Sequence, residues 1–216
     1  MRIAVYVMMT GNHQYYRYSQ RAIDRYYAPL GISVHYQREM PEELKGLNYC
    51  WGRYHAHRVI DADVIISQDA DILPCSTAYD IREHISGEKF SMPLDPYAPV
   101  LQDNESLCFK NFKYNAGLMF IPKSFQPMME LCVYEYARPG TDAKKWDDAG
   151  DQYCINDFVA RHNIDVDVIP SQFDTFWTPG MDYSKLAFVH YTGQVPSGGH
   201  KHEYITQFHP KEMIQL

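Results

Sequence analysis

The stretch Asp63-Val-Ile-Ile-Ser-Gln-Asp-Ala-Asp71 places a pair of carboxylates directly after a run of apolar residues. The run from Val64 to Gln68 is short and rich in β-branched residues, which is typical of a buried strand. Asp69 and Asp71 then follow the carboxyl end of that strand. Two carboxylates one residue apart can hold a divalent cation such as Mg²⁺ or Mn²⁺, which binds protein oxygens and substrate phosphates together. Alone the pair is a weak signal, because strands commonly end in acidic turns.

Strands and helices alternate around this stretch, which predicts right-handed crossovers and a largely parallel sheet of the α/β class. Ligands bind such sheets at the carboxyl ends of the strands, where the two aspartates stand. The predicted elements before the pair are a strand from Arg2 to Met9, a helix capped by Asn12 and running to Tyr27, a strand from Ile32 to Gln37 and a helix from Asn48 to Ile60. Those after it are a helix from Ser76 to Ser86, strands from Phe90 to Pro93 and Leu118 to Ile121, helices from Phe125 to Ala137 and Asp148 to Arg161, and strands from Val166 to Ile169 and Ala187 to His190.

Composition narrows the class of protein. The chain has 216 residues, 45% of them hydrophobic, which is enough for one core and predicts a single domain over residues 1–216, or the catalytic module of a longer protein. Twenty basic residues stand against 27 acidic ones without a basic block, so nucleic acid is not an expected partner. Five widely spaced cysteines predict free thiols and a cytoplasmic location. We also expect no transmembrane segment, since no apolar run approaches the ~20 residues that a span needs.

Four segments in order along the chain carry a family resemblance. They are Ser67-Gln-Asp-Ala-Asp-Ile72, Tyr114-Asn-Ala-Gly-Leu-Met-Phe-Ile121, Gly150-Asp-Gln-Tyr-Cys-Ile-Asn156 and His190-Tyr-Thr-Gly-Gln194. Together they resemble GT-A-fold glycosyltransferases, most closely the retaining family 8 group that includes glycogenin and bacterial galactosyltransferases. The resemblance implies a Rossmann-like single domain with a mixed, mostly parallel sheet flanked by helices. It also implies metal-dependent transfer of a hexose-type sugar from a UDP-sugar to an acceptor hydroxyl on a glycan, with retention of configuration.

The resemblance assigns a metal site and a diphosphate site. Asp69, Asp71 and His190 match the family's metal ligands, and a mixed carboxylate and imidazole set suits Mn²⁺ better than Ca²⁺. Mg²⁺ is the alternative ion. Gly193 is expected to let the backbone approach the diphosphate, and Lys201 or His200 to neutralise it. The family's usual Lys-Pro-Trp is replaced by Val195-Pro-Ser-Gly-Gly-His-Lys-His202. We therefore expect Lys201 to act from a glycine loop, unless the stretch from His200 to His202 is a solvated surface loop.

The remaining assignments concern the nucleotide and the sugar. The resemblance gives nucleotide-sugar contacts to Thr10, Asn12, Arg53, Ala70, Asn115 and Ala116, and catalytic positions beside the transferred sugar to Asp151 and Gln152. Asp95 is a further candidate contact to a sugar hydroxyl, from its place after a predicted strand and without motif support. Tyr15 or Tyr16 could stack on the base, although an aromatic residue in an amphipathic helix more often packs in the core. Arg53 is equally well explained as an ordinary arginine on a helix surface. Asp151 also suits the first turn of its helix, where a carboxylate stabilises the helix dipole.

Two other functions compete with glycosyl transfer. A dehalogenase-type phosphatase also uses Asp-x-Asp, but on the opening strand of its core, whereas this pair ends the third strand. A non-catalytic nucleotide-sugar or glycan-binding module would use the 18 tyrosines as stacking faces. The stereochemistry also stays open, because an inverting enzyme needs a carboxylate base, for which Asp95 and Asp151 are candidates.

Overall fold

A computed structural model of the protein describes residues 1–99, 111–137, 150–192 and 201–215. Its strands are β1 (Ile3–Met8), β2 (Ser33–Gln37), β3 (Val64–Asp69), β4 (Ile72–Pro74), β5 (Ser91–Pro93), β6 (Leu118–Pro122), β7 (Asp167–Ile169), β8 (Thr175–Phe176) and β9 (Phe188–His190). Its α-helices are α1 (Tyr16–Tyr27), α2 (Ala56–Val59), α3 (Gln126–Tyr136), α4 (Gly150–Arg161), α5 (Lys201–Phe208) and α6 (Lys211–Ile214). Within these described ranges, none of the helices is long and apolar enough to cross a membrane.

The larger sheet has the strand order β2-β1-β3-β6-β5-β7. Neighbouring strands run parallel except at β6, which is antiparallel to both β3 and β5. The sheet is therefore mixed but mostly parallel, as predicted, and β3 lies at its centre. The α/β fold class predicted from the sequence is confirmed.

Both faces of this sheet are buried, which explains why β3 reads as a continuous apolar run. Val64 and Ile66 point into a core that includes α1 and the smaller sheet. Ile65 points into the opposite core, which includes α3 and α4. Alternate residues of β1 and β6 divide between the two cores in the same way. A strand covered on both sides holds the aspartates at its end in a fixed position.

The smaller sheet, in the order β4-β9-β8, begins immediately after the aspartate pair. Its first strand pairs antiparallel with β9, and Ile72 stands opposite His190. The backbone N–H of Tyr191 donates to the carbonyl of Asp71 at 2.8 Å. The Asp-x-Asp turn thus joins the two sheets and brings His190 beside the carboxylates. Neither β4 nor β8 was predicted from the sequence.

Three predicted helices differ from the structure. Helix α1 begins at Tyr16 without a side-chain cap, so Asn12 does not cap it. The segment Tyr49–His55 is a 3₁₀-helix, and only Ala56–Val59 is α-helical. Gly52 lies in that segment, and glycine disfavours the α-helix. A helix from Ser76 to Ser86 is also wrong: the Ser76 hydroxyl instead accepts from the backbone of Ala78 in a turn, and a 3₁₀-helix forms at Ile81–His84.

A buried histidine gives the fold an expected dependence on pH. His209 is held between the carbonyl of Pro74, 2.9 Å from Nε2, and the hydroxyl of Tyr191, 3.0 Å from Nδ1. Burial lowers the pKa of His209 to about 4. In the unfolded chain the same histidine has a pKa of ~6.5. Between the folded and the unfolded pKa values, the unfolded chain therefore binds a proton at this residue and the folded protein does not. Acidification through this range should cost about 3 kcal/mol of the free energy of unfolding from this residue, saturating below the lower value.

The measurement is thermal unfolding between pH 7 and pH 4.5 for the unaltered protein and for His209→Gln. The variant should lose less stability on acidification, even where its absolute stability is lower. Equal slopes for the two proteins would show that His209 does not contribute to acid sensitivity.

Candidate functional site

A cavity of about 700 Å³ lies at the edge of the larger sheet where β1 and β3 end. It is lined by Met8 and Asp69 from these strand ends and by residues from the loops that follow β5 and precede β6. The predicted site residues that line it are Arg53, Asp69, Ala70, Asp71, Asp95, Asn115, Asp151, Gln152, His190 and Lys201. The structure therefore brings together residues that are distant in the sequence.

Asp69, Asp71 and His190 form a group that could hold a metal ion, and we call it the metal group. One ligand atom from each residue lies within 4.8 Å of the others. The Nε2 atom of His190 lies 3.7 Å from Oδ1 of Asp71, and both residues are buried. Two carboxylate oxygens and an imidazole nitrogen form a donor set suited to a divalent cation of intermediate softness.

The Asn-Ala-Gly sequence before β6 packs against this group. A Cβ atom at Gly117 would lie 2.8 Å from Cδ1 of Ile72 and from Oδ1 of Asn115, and 2.9 Å from Cε1 of His190. At these separations a Cβ atom would force the neighbouring side chains to shift. Gly117 therefore allows the histidine ring and β6 to approach each other.

A second group consists of Asp95, Asn115 and Gln152, which line the cavity, and of Ala116, whose backbone N–H pairs with Gln152. Oδ2 of Asp95 accepts from Nε2 of Gln152 at 2.9 Å and from Nδ2 of Asn115 at 3.2 Å. Its Oδ1 accepts from the backbone N–H of Tyr97 at 2.8 Å. Oε1 of Gln152 accepts from the N–H of Ala116 at 3.1 Å. This group, which we call the amide cluster, fixes polar atoms of both donor and acceptor type at the cavity wall.

Arg53 connects the aspartate pair to the start of α4. Its side chain is 6% exposed, and its Nη2 lies 2.5 Å from Oδ1 of Asp69 while Nε lies 3.2 Å from Oδ2 of Asp151. Nε also donates to the carbonyl of Cys50 at 3.1 Å, and Nη1 donates to the carbonyl of Ala116. The alternative of an arginine on a helix surface is wrong. Arg53 is a buried charge whose three nitrogens all face protein oxygens.

The surroundings of Asp69 and Asp71 shift the pKa values of the two carboxyl groups in opposite directions. Burial and the neighbouring Asp71 raise the pKa of Asp69 to about 6, although Arg53 opposes the rise. Burial also disfavours the charged form of Asp71, but Lys201 and His190 outweigh it and lower the pKa of Asp71. A divalent cation placed between these residues would favour both carboxylates in their charged form.

Lys201 is the first residue of α5 and its Nζ contacts Oδ2 of Asp71. It therefore does not belong to a glycine loop, and the alternative of a solvated loop from His200 to His202 is wrong for the two residues that the structure describes. His202 belongs to the same helix, with its ring 5.6 Å from that of Tyr18. His200 and Gly193 lie outside the described residues.

The predicted nucleotide contacts at the amino end are only partly brought to the cavity. Tyr15 and Tyr16 line it, whereas Asn12 lines a separate surface depression and the side chain of Thr10 does not line the cavity. The carbonyl of Thr10 instead accepts from the Tyr16 hydroxyl at 2.8 Å.

One charged residue beside the cavity has no sequence motif. Asp174 is buried, and its Oδ1 lies 2.9 Å from Nδ1 of His190. Burial opposes protonation of His190, but Asp174 and the other carboxylates around it outweigh this effect and raise its pKa to about 9. Aromatic residues that the sequence did not single out also line the cavity, namely Tyr49, Tyr97, Phe112, Tyr153 and Phe176.

Comparisons with known proteins agree with this geometry at the level of the fold. No protein-family model and no curated protein matches the sequence. Among solved structures, a glycosyltransferase involved in glycosylation of the major capsid of PBCV-1 matches with a TM-score of 0.59, 11% identity, and coverage of 95% of this chain and 99% of that one. The galactosyltransferase LgtC, in complex with donor and acceptor sugar analogs, matches with a TM-score of 0.54, 12% identity, and coverage of 88% and 87%. GlyE of Streptococcus pneumoniae TIGR4 matches with a TM-score of 0.55 and 12% identity, and this chain covers 55% of that longer protein.

The chain has the fold of the GT-A glycosyltransferases. The resemblance predicted from the four sequence segments is thus confirmed for the fold, and the low identities carry it no further than that.

Within this GT-A fold, the metal group and the amide cluster line the same cavity. Arg53 contacts both, through Asp69 and through the carbonyl of Ala116. A ligand in the cavity would therefore meet both a site for a cation and paired hydrogen-bond donors and acceptors.

Proposed function

We propose that the protein is a glycosyltransferase that moves a hexose-type sugar from a UDP-sugar to an acceptor hydroxyl on a glycan, with residues 1–216 acting as one catalytic module. The observation that carries this proposal is the pairing, in one cavity of a GT-A fold, of the metal group with the amide cluster. A nucleotide sugar has the matching two ends: a diphosphate that requires cations and a pyranose whose hydroxyls require paired donors and acceptors.

Asp69, Asp71 and His190 would hold Mn²⁺ (or Mg²⁺), and their donor set fits this ion. When bound, the ion supplies positive charge that stabilises the departing diphosphate. Lys201, whose ammonium contacts Asp71, is placed to add a second positive charge on the same side. Roles for Thr10, Asn12 and Gly193 in nucleotide binding stay predictions from the resemblance.

The sugar end of the donor is assigned to Asp95, Asn115 and Gln152. A hydroxyl both donates and accepts, so it is recognised best by carboxylate and amide groups held in place. The mutual hydrogen bonds of the amide cluster fix its members before a ligand arrives. The backbones of Ala70 and Ala116 complete this wall, while Tyr15 or Tyr16 supplies an aromatic face for the base.

In the proposed reaction, the bond between the anomeric carbon and the diphosphate oxygen breaks as the acceptor oxygen bonds to that carbon. The acceptor proton passes to an oxygen of the departing diphosphate on the same face, so the configuration is retained. Gln152 and Asp151 stabilise the positive charge that develops on the sugar.

The contacts of the two candidate bases favour retention over inversion. Asp95 already accepts three hydrogen bonds, from Tyr97, Asn115 and Gln152. Asp151 lies against the buried Arg53. A general base must accept the acceptor proton in the transition state, and carboxylates occupied in this way are poorly suited to that role.

The cytoplasmic location stays a prediction that rests on the cysteines. Cys50, Cys75 and Cys132 are buried free thiols.

A donor screen tests the proposal. With Mn²⁺ and a panel of nucleotide sugars, we expect one UDP-sugar to release UDP slowly and to raise the melting temperature. A ligand at 100 times its Kd adds about 2.7 kcal/mol to the free energy of unfolding, which corresponds to roughly 5 to 10 °C for a chain of this length. Chelation of the metal should remove both effects. Stabilisation by a free glycan, with no response to any nucleotide sugar, would instead favour the non-catalytic binding module.

A further inference from the structure

Asp174 is a buried carboxylate for which sugar transfer, as proposed above, has no use. It follows the 3₁₀-helix Ser171–Phe173, and its backbone N–H donates to the carbonyl of Ser171 at 3.0 Å. Its side chain has no exposed surface. A charge buried this deeply is costly unless it is paired, so its partner indicates its purpose.

That partner is Nδ1 of His190, 2.9 Å from Oδ1 of Asp174. The contact is an ion pair whose geometry is not that of a hydrogen bond. A carboxylate this close to Nδ1 favours a proton on that nitrogen, which leaves Nε2 as the other functional nitrogen. In this structure Nε2 faces Asp71, at 3.7 Å from Oδ1. The orientation of the ring therefore points its second nitrogen into the metal group.

The rest of the histidine ring is also constrained. The ring of Phe176 meets it edge to face with centroids 4.9 Å apart, and Gly117 allows close packing at Cε1. Backbone pairing also keeps Asp174 close to His190, because Phe176, two residues after Asp174, pairs in β8 with His190 in β9. Residues of β8 and of the turn before it thus surround one side chain.

We propose that Asp174 is a positioning residue that fixes the ring orientation and tautomer of His190, so that Nε2 is presented to a divalent cation held with Asp69 and Asp71. The inference rests on the proposed metal site and does not depend on which sugar is transferred. The carboxylate also makes the imidazole a stronger donor to the cation. Loss of such a supporting group typically weakens metal binding by about 10- to 100-fold.

The test measures binding of Mn²⁺ alone, from the electron paramagnetic resonance signal of the free ion, without nucleotide or sugar. Asp174→Leu, which removes the acceptor, should weaken Mn²⁺ binding about 10- to 100-fold. Asp174→Asn keeps an oxygen that can accept from Nδ1 but loses the negative charge, so it should weaken Mn²⁺ binding by a smaller factor than Asp174→Leu. Glu135→Leu is the matched control, because Glu135 pairs with Nε2 of His162 at 3.0 Å on another part of the surface. It should bind Mn²⁺ as the unaltered protein does.

A double-mutant cycle separates positioning from a general effect on the fold. Asp174→Asn should weaken Mn²⁺ binding where His190 is present and have no effect in a His190→Ala background. The cycle also decides the matter if Asp174→Leu does not fold. Unchanged Mn²⁺ affinity in folded Asp174 variants, or equal losses with and without His190, would overturn the inference. Because no turnover is measured, a failed donor screen would count against sugar transfer and leave this result intact.

Discussion

Replacing Asp71 by Asn is expected to lower metal-dependent release of UDP from the correct donor at least about 1,000-fold. The substitution preserves the size of the side chain and an oxygen that can face Lys201, but it removes one of the two negative charges offered to the cation. Stabilisation of a departing charge by a metal contributes several kcal/mol, and each ~1.4 kcal/mol changes the rate tenfold. The measurement is initial rate against Mn²⁺ concentration, beside the melting temperature of the metal-free protein.

Asp165→Asn is the control for this prediction. Asp165 is an exposed aspartate whose carboxylate pairs with Lys89 at 3.1 Å. The Asp165→Asn substitution changes the net charge by the same amount as Asp71→Asn. Its rate of UDP release should stay within a factor of two of that of the unaltered protein, since surface ion pairs contribute only ~0–1 kcal/mol. Turnover by a folded Asp71→Asn variant at a tenth or more of the normal rate would remove the aspartate pair from the mechanism.

The sequence was sufficient to predict the position of the aspartates because local patterns determine it. A short β-branched run covered on both faces reads as a buried strand, and β3 ends at Asp69 as that pattern requires. His190 was predicted only through the resemblance. Its approach to Asp71 depends on pairing between β4 and β9. The strand Ala187 to His190 was predicted, but β4 was not, and a local pattern does not show which strands pair.

Contacts between distant side chains could not be predicted from local patterns. Nothing in the sequence around Asp174 distinguishes it from an aspartate in a turn, yet strand pairing places it against His190. The burial of Arg53 could not be predicted from its segment either. The sequence predicts a helix there, whereas the burial follows from the packing of a 3₁₀-helix against β1. Both residues are charges whose burial depends on partners far along the chain.

Replacing Arg53 by Met is expected to cost about 3–5 kcal/mol of the free energy of unfolding, because the buried carboxylate of Asp151 loses its cation. Asp69 loses its partner at the same time, so the metal group is also disturbed. For a chain of this length the loss corresponds to a fall in melting temperature on the order of 10 °C. We also expect UDP release to fall with it, since Asp151 and the proposed metal ligand Asp69 both lie against this side chain.

The pH dependence of that loss separates charge from packing. Burial already raises the pKa of Asp69, and loss of Arg53, which opposes that rise, should raise it further. The folded variant then binds more protons than the unfolded one, so its stability should recover as the pH falls from 7 toward 5, relative to the unaltered protein. Arg58→Met is the matched control, since Arg58 is half exposed and pairs with Glu43 and Glu130 on the surface. It should cost no more than about 1 kcal/mol. If Arg53→Met were as stable as Arg58→Met, or showed no relative recovery at low pH, the buried carboxylates would not depend on Arg53 for their charge.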